Sequence, residues 1–214
     1  MACYSRYSGT VRRVLTPVNT AVIVVNVIIF IWMSLIGDTN DINFMYRHGA
    51  DAWFAVFEKH EYYRLLTAAF IHFGFAHLFN NMLVLAFIGD NLERALGPVR
   101  YVVLYLCSAV GANLVSDVWC MYRQELIISG GASGAIFGVV GAMLVILIRN
   151  HGRLEDLSTT QVALFAAFSI YHGISSSGVD NAAHVGGFIV GAGLGLILYR
   201  RKDTRTRRGR HNWR

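Results

Sequence analysis

Long charge-free stretches dominate the hydrophobic and polar pattern of the chain. Six of them contain no Asp, Glu, Lys or Arg: residues 14–37, 65–89, 101–116, 126–148, 157–179 and 181–199. A helix needs about 20 apolar residues to cross roughly 30 Å of hydrocarbon, and most of these stretches reach or approach that length. The stretch 101–116 reaches it if Asp117 lies at the interface. A soluble core explains one or two such stretches, so the pattern predicts an all-α polytopic membrane protein with six transmembrane helices.

Composition agrees with this interpretation. The chain has 214 residues, of which 55% are hydrophobic and only 15% are charged, which is too apolar for an ordinary soluble domain. We expect three segments: an N-terminus at 1–13, a membrane domain at 14–199 and a basic tail at 200–214. The first apolar stretch lacks a small-residue cleavage site, so no cleaved signal peptide is expected.

Lys and Arg residues are concentrated on one side of the predicted spans. Six spans place both termini on the same side, and fifteen of the nineteen Lys and Arg residues then lie there, eight of them in the tail 200–214. The positive-inside rule therefore predicts cytoplasmic termini. It also accounts for the net charge of +6 without a nucleic-acid partner. The tail could also bind anionic lipid, although a topology signal is the simpler interpretation.

The longest predicted connection is the first outer loop, at about 37–76. Its seven aromatic residues between Phe44 and Tyr63 favour a segment associated with the membrane interface, and a small folded cap is the alternative. The three cysteines, Cys3, Cys107 and Cys120, are too scattered to predict a disulfide framework or a metal site.

Four polar residues lie in the outer halves of three parallel predicted spans. His77 and Asn81 are on the second span, Ser133 on the fourth and His184 on the sixth. Polar groups inside a membrane are costly and commonly mark functional sites. One such residue is more typical of an interhelical hydrogen bond, but four at one depth predict a shared site.

The sequence SGGASGAIFG, residues 129–138, begins the fourth span. Its two leading glycines disfavour helix, so a regular helix is expected to start near Ala132 or Ser133 and to continue to Ile148. About 16 residues give roughly 24 Å, less than the hydrocarbon thickness. The helix then begins below the outer surface, and its first N–H groups have no intrahelical partner. Free N–H groups beside a serine hydroxyl are the parts of an oxyanion hole.

Two glycine stripes predict close contact between the fourth and sixth spans. They consist of Gly134, Gly138 and Gly141 on one helix and Gly187, Gly191 and Gly195 on the other. Small residues at this spacing allow helix backbones to approach. Such packing is expected to bring Ser133 and His184 within hydrogen-bond range.

Serine and histidine in this arrangement suggest acyl transfer, with Ser133 as nucleophile and His184 as general base. Asp180 is four residues before His184 but is expected at the surface, so no carboxylate is placed to orient the imidazole. The prediction is therefore a dyad instead of a Ser-His-Asp triad. Phe137 follows Ser133 by four residues, on the same helix face, and its ring is expected to position the imidazole.

Five short motifs occur in register with these spans. They are GASG at 131–134, AHVGG at 183–187, HLFNN at 77–81, GDNLERALG at 89–97 and the aromatic–Arg pair at 63–64. They resemble, in that order, the G-x-S-G, A-H-x-x-G, H-x-x-x-N, G-x-x-x-E-x-x-x-G and aromatic–Arg motifs of the rhomboid family of intramembrane serine proteases. The resemblance covers roughly residues 60–195.

This resemblance implies a rhomboid-like six-helix bundle with a membrane-associated first outer loop. It also implies a serine endopeptidase that uses no cofactor and no metal. His77, Asn81 and the Ser133 N–H would bind the oxyanion. Residues expected to support the site are Phe137, Gly131, Gly134 and Gly187. Ala68 stands where some members have a further histidine, and we treat Ala68 and the nearby His72 as peripheral.

The resemblance further implies single-pass transmembrane proteins as substrates, cut near the outer end of their helix. Substrate proteins and membrane lipid are the expected partners, in the cytoplasmic (inner) membrane of a bacterium. The segment YHGISSSGVDNAAH, residues 171–184, is a candidate substrate gate. One alternative is a rhomboid-like protein that binds transmembrane clients without cutting them. Another is a channel or transporter, which would more often show inverted repeats.

Overall fold

The structure is a computed structural model that describes residues 16–154, 157–175 and 179–200, without the side chains of 153, 154, 157 and 168–175. The predicted N-terminal segment 1–13 and all but the first residue of the tail lie outside the described residues. The described helices are α1 Pro17–Ile36, α2 Ile42–Arg47, α3 Trp53–Phe57, α4 Arg64–Thr67, α5 Gly74–Val84, α6 Asp90–Leu96, α7 Pro98–Arg123, α8 Ser133–Arg149, α9 Thr159–Ser175 and α10 Asn181–Leu198.

Two irregular helical turns and one hairpin complete the described structure. A 3-10 turn, Ala68–Phe70, follows α4, and a π turn, Leu85–Gly89, joins α5 to α6. Strands β1 (Arg153–Leu154) and β2 (Leu157–Ser158) pair antiparallel between α8 and α9. The chain is mainly helical as predicted, and the hairpin is a small departure from a purely helical fold.

Helix length and composition support a membrane protein. Helices α1, α7 and α10 are long and apolar enough to cross a membrane, and α4 to α6 form a fourth candidate span bent by 91°. Helix α8 is apolar but has only 17 residues. Each of the six predicted stretches overlaps a helix, yet helix length by itself supports three or four spans, so the count of six stays a prediction.

Glycines join α8 to α10 along the two predicted stripes. A methyl group added to Gly187 or Gly191 would overlap the carbonyl oxygen of Gly134 or Gly138, respectively. Only glycine permits such contact between backbones. The prediction that these helices pack through glycine is therefore confirmed, and their relative position is tightly fixed.

The first outer loop is folded around Arg64, which is buried. Its guanidinium donates hydrogen bonds to the backbone oxygens of Tyr46 and Ala50, both at 2.7 Å, and pairs with Glu61. The same group lies 4.4 Å from the centre of the Tyr46 ring. Arg64 thus holds α2, α4 and the segment before α3 together, which gives the aromatic–Arg motif a structural role.

The motif at 89–97 anchors α1. Glu93 is buried and accepts the backbone N–H groups of Val18 and Asn19 at 3.2 and 2.6 Å. These N–H groups belong to the first turn of a helix and have no intrahelical partner, so a carboxylate satisfies them well. Gly97 has φ of +85° between α6 and α7, a conformation that favours glycine.

Candidate active site

Ser133 is the first residue of α8, as predicted. Gly131, two residues earlier, has φ of +137° and donates its N–H to the carbonyl oxygen of Ala68 at 2.8 Å. This conformation disfavours any residue with a Cβ. The glycine-rich loop therefore turns sharply at Gly131 and presents Ser133 at a helix N-terminus, where backbone N–H groups are free to meet a ligand.

His184 lies in the first turn of α10 and is 9% exposed. Its ring stacks on the ring of Phe137, with centroids 4.2 Å apart and planes 18° from parallel. Within the part of the chain that the structure describes, His184 Nδ1 has no hydrogen-bond partner. Because Phe137 is one turn along from Ser133 on α8, the stack brings the imidazole to the helix face that carries the serine.

Ser133 and His184 are both described, and they do not hydrogen-bond each other in this structure. Catalytic hydrogen bonds are often long in the absence of substrate and tighten in the complex. The glycine contacts between α8 and α10 fix the positions of the two backbones. The structure thus places the His184 ring on the α8 face that carries Ser133, without a hydrogen bond between the two residues.

His77 and Asn81 line the other side of the same loop, from one face of α5. A methyl group on Gly131 would lie 2.5 and 2.8 Å from His77 Cε1 and Nε2, and 3.6 Å from Asn81 Nδ2. Asn81 is buried, and its Nδ2 group has no partner among the described residues. Leaving a buried donor unpaired costs about 1–3 kcal/mol. An oxygen of a ligand above the Gly131 loop could accept this donor.

His72, expected from the sequence to be peripheral, lies beneath this loop. It is 0% exposed, and its Nε2 accepts the backbone N–H of Ala132 at 3.2 Å. Its ring centre lies 5.2 Å from that of His77. His72 therefore fixes Ala132, the residue before Ser133, and contacts His77, which is expected to bind the oxyanion. Its only signal in the sequence is a histidine within a charge-free stretch.

From the sequence Asp180 is expected at the surface, but in the structure it is partly buried at the N-cap of α10. Its Oδ1 accepts the backbone N–H of Ala183 at 2.9 Å, and its Oδ2 accepts the Ser116 hydroxyl at 2.5 Å. The free N–H groups at the start of the helix draw the carboxylate inward. It stabilises the turn that carries His184 without hydrogen-bonding the imidazole. Asp at this spacing before a helix is a recognisable capping signal.

The loop that leads to Ser133 also pairs with the first outer loop. Asp51 and Ser129 exchange two backbone hydrogen bonds, at 2.8 and 2.9 Å, in an isolated antiparallel bridge. This contact joins residues 78 positions apart, so no local pattern in the sequence reveals it. It places the first outer loop directly against the segment that positions the serine.

Two further expectations meet the limits of the described residues. The candidate gate, 171–184, includes 176–178, which lie outside them, as do the side chains of 171–175. Among the described residues no group of three or more His, Cys, Asp or Glu side chains could hold a metal ion. Cys107 and Cys120 are free thiols, and Cys3 is not described.

Comparisons with known proteins place these features in a family. The profile of the Rhomboid domain matches residues 59–201. RHOMBOID-like protein 7 of Arabidopsis thaliana is 38% identical over 151 residues, 70% of this chain and 47% of that protein. Rhomboid protease GluP of Bacillus subtilis is 36% identical over 140 residues, 64% of this chain and 27% of that protein.

The name of a third relative describes that protein as inactive. Inactive RHOMBOID-like protein 8 of Arabidopsis thaliana is 35% identical over 142 residues, 66% of this chain and 39% of that protein. The chain therefore spans less than half the length of each of these relatives. Since the domain profile covers more than half of the chain, from the first outer loop to the end of α10, the chain belongs to the rhomboid family.

Proposed function

We propose that the protein is an intramembrane serine endopeptidase that cleaves single-pass transmembrane proteins near the outer end of their helix. The observation that carries the proposal is the stack of His184 on Phe137, on the α8 face that bears Ser133. The unpartnered Asn81 donor beside the Gly131 loop supports it. Similarity to rhomboid protease GluP supports the reaction class.

In the proposed reaction Ser133 Oγ attacks the carbonyl carbon of the scissile peptide. His184 takes the hydroxyl proton as general base, and a tetrahedral oxyanion forms. Asn81, His77 and the Ser133 N–H donate hydrogen bonds to that oxygen. The C–N bond then breaks as His184 returns the proton to the leaving amine. Water, deprotonated by the same imidazole, hydrolyses the acyl-enzyme and restores the serine.

Only two side chains share the proton transfer in this proposal. The Asp180 carboxylate is committed to Ala183 and Ser116, and His184 Nδ1 accepts no donor from the described part of the chain. The Phe137 ring therefore replaces a carboxylate as the group that orients the imidazole. A stacked ring restricts rotation about the imidazole side chain but adds no charge to it.

The depth of the site follows from the length of α8. Its 17 residues rise about 25 Å, a few ångströms less than the hydrocarbon thickness. If the inner end of α8 lies at the inner surface, Ser133 lies below the outer surface. Non-helical backbone at that depth must be buried in protein or line a water-filled cavity. We therefore propose a water-filled site open to the outer side, in a bundle of six spans with cytoplasmic termini.

The test is cleavage of a model transmembrane substrate by purified protein in detergent. Wild type is expected to cut, Ser133→Ala is expected to be inactive with an unchanged unfolding temperature, and His184→Ala is expected to be inactive but still folded. Ser129→Ala, in the same loop, and the exposed His60→Ala are the matched controls and should both cut. Equal cleavage by wild type and Ser133→Ala would overturn the proposal.

A second candidate function is binding of transmembrane clients without cleavage, and the similarity to an inactive relative favours keeping it. Pull-down of the same substrate distinguishes the two functions. Substrate retained equally by wild type and Ser133→Ala, with no cleavage by either, would favour the binding function.

A further inference from the structure

Three aspartates from separate segments lie within electrostatic range of one another on the outer side of the structure. Asp51 belongs to the first outer loop, Asp117 to α7 and Asp180 to the N-cap of α10. Asp51 and Asp117 are 1% and 4% exposed. The charge of Asp180 acts on both of them, and the charge of Asp51 acts on Asp117. We call Asp51, Asp117 and Asp180 the outer carboxyl cluster.

Several carboxylate oxygens of the cluster lack hydrogen-bond partners among the described residues. Within the described residues, neither Asp51 carboxylate oxygen has a well-formed hydrogen bond, and Asp117 Oδ2 has none. Buried carboxylates are normally paired because an unpaired charge is costly away from water. Two buried acids that form no ion pair among the described residues, near a third, are therefore an unusual feature for a purely structural region.

The cluster is linked through the backbone to both halves of the candidate active site. The Asp51 backbone is bonded to Ser129, four residues before Ser133. Asp180 caps the helix turn that contains His184, four residues later. A force between Asp51 and Asp180 is therefore transmitted through one backbone bridge to the serine and through one helix turn to the histidine.

Other charged groups near the cluster do not neutralise it. Arg64 acts on Asp51 from α4, but its guanidinium is bonded to Glu61 and to two backbone oxygens. Cys120, on α7, is influenced by Asp117 and Asp180. Burial raises the pKa of Asp51 to about 7, and the charge of Asp180 adds to the rise, while the Ala52 N–H and Arg64 oppose it.

We propose that Asp51 is a positioning residue that, in its protonated form, holds the loop of Ser133 against the cap of His184, so that their alignment depends on pH. Protonated Asp51 adds no charge to the cluster and has an O–H to donate to a neighbouring carboxylate. Its deprotonation places a second buried negative charge opposite Asp180. Repulsion then moves the 129–133 segment away from the start of α10.

The sign of the stability effect follows from the direction of the shift. An Asp carboxyl has an ordinary pKa of 3.8, against about 7 in the folded protein. Between those pH values the folded state binds more protons than the unfolded state. The resulting contribution to stability is complete below about pH 4 and is lost as pH rises through about 7.

The first experiment leaves activity aside and uses the Ser133→Ala background. Thermal unfolding of that protein in detergent is followed from pH 5 to pH 9, with and without Asp51→Asn. We expect Asp51→Asn to have little effect at pH 5 and to raise the unfolding temperature at pH 8 and above. Glu58→Gln, which neutralises an exposed carboxyl of the same loop, is the control and should change neither value. Parallel pH curves with and without Asp51→Asn would overturn the proposal.

A second variant and a local measurement cover the case in which Asp51→Asn does not fold. Asp117→Asn removes a facing carboxyl and leaves Asp51 in place, so it should reduce the loss of stability above pH 7. In the Ser133→Ala protein, backbone amide exchange at 126–131 and 179–184 should accelerate with pH by more than the intrinsic base dependence of exchange. With Asp117→Asn added, this extra acceleration should be smaller. Equal protection at both pH extremes would contradict the proposed movement.

The second experiment measures cleavage and rests on the proposed function. Above about pH 7 the wild-type kcat/KM should fall by up to about tenfold per pH unit, and Asp51→Asn should retain its activity there. Below pH 6 the two should be equal. A protein without protease activity would still give the unfolding and exchange results, so failure of the function and failure of the positioning role are distinguishable.

Discussion

The inner and outer parts of the α8–α10 pair are built in opposite ways. Toward the interior, Gly138 and Gly191 bring the two backbones into direct contact, with the Ser108 side chain packed against Gly138. At the outer ends of the same helices lie buried polar groups, Asn81, His184 and Asp51, with atoms left unpaired by the described residues. The inner part fixes geometry, and the outer part keeps hydrogen-bonding capacity available.

This difference indicates what each part contributes. A tightly packed core tolerates little change in volume, so the inner contact sets the separation of Ser133 and His184. Unpaired buried donors and acids reduce stability, and they are expected where a ligand or a proton completes them. Mutations in the two parts should therefore have distinguishable effects on stability and on activity.

The largest effect is expected at the inner contact. In Gly191→Ala the added methyl group would overlap the carbonyl oxygen of Gly138, so the helices must separate. We expect a loss of about 3 kcal/mol and loss of cleavage together. Gly193→Ala is the matched control on the same helix, because its added methyl group meets no atom within 4 Å. Thermal unfolding and substrate cleavage measure both effects, and equal behaviour of the two variants would contradict the inner part's role.

A smaller and opposite pattern is expected at Asn81. Asn81→Ala removes an unpartnered buried donor, so the unfolding temperature should be unchanged or raised. If Asn81 binds the oxyanion, kcat should fall by about a hundred- to a thousand-fold. Asn80→Ala, at the exposed neighbouring position on α5, should be active and equally stable. A fall in stability with unchanged kcat would show that Asn81 has a packing role instead.

The sequence predicts the inner part of the pair well. Regular spacing of Gly134, Gly138 and Gly141 against Gly187, Gly191 and Gly195 is a local pattern, and one helix contact follows from it. The start of α8 at Ser133 was predictable for a similar reason, since two adjacent glycines disfavour helix. The stack of Phe137 on His184 extends this, because it requires only the helix period and the predicted contact.

The contacts of the outer part are harder to predict from the sequence. His72 contacts Ala132 across 60 positions, and Asp51 pairs with Ser129 across 78. Neither contact has a periodic signal, since both depend on how irregular loops fold against the helices. The sequence places Asp180 at the surface, and nothing local to it reveals the Ser116 partner 64 residues away. Residues whose roles come from long-range loop contacts are those that the sequence does not reveal.

The smallest effect is expected at Asp180, which has two roles in the outer part: it caps α10 and carries charge in the outer carboxyl cluster. Asp180→Ala removes the acceptor for the Ala183 N–H and should cost about 1 kcal/mol. Asp180→Asn can still accept that N–H, so it should restore stability while removing the charge that acts on Asp51 and Asp117.

Comparison of the two variants by thermal unfolding at pH 5 and pH 8 separates capping from charge. At pH 5 Asp180→Asn should match wild type, and Asp180→Ala should be less stable. At pH 8 Asp180→Asn should exceed wild type, because one negative charge of the outer carboxyl cluster is gone. If Asp180→Asn is as unstable as Asp180→Ala at both pH values, the carboxylate stabilises the protein through its Ser116 contact instead. Asp180 would then have a fixed packing role, like the glycines of the inner part.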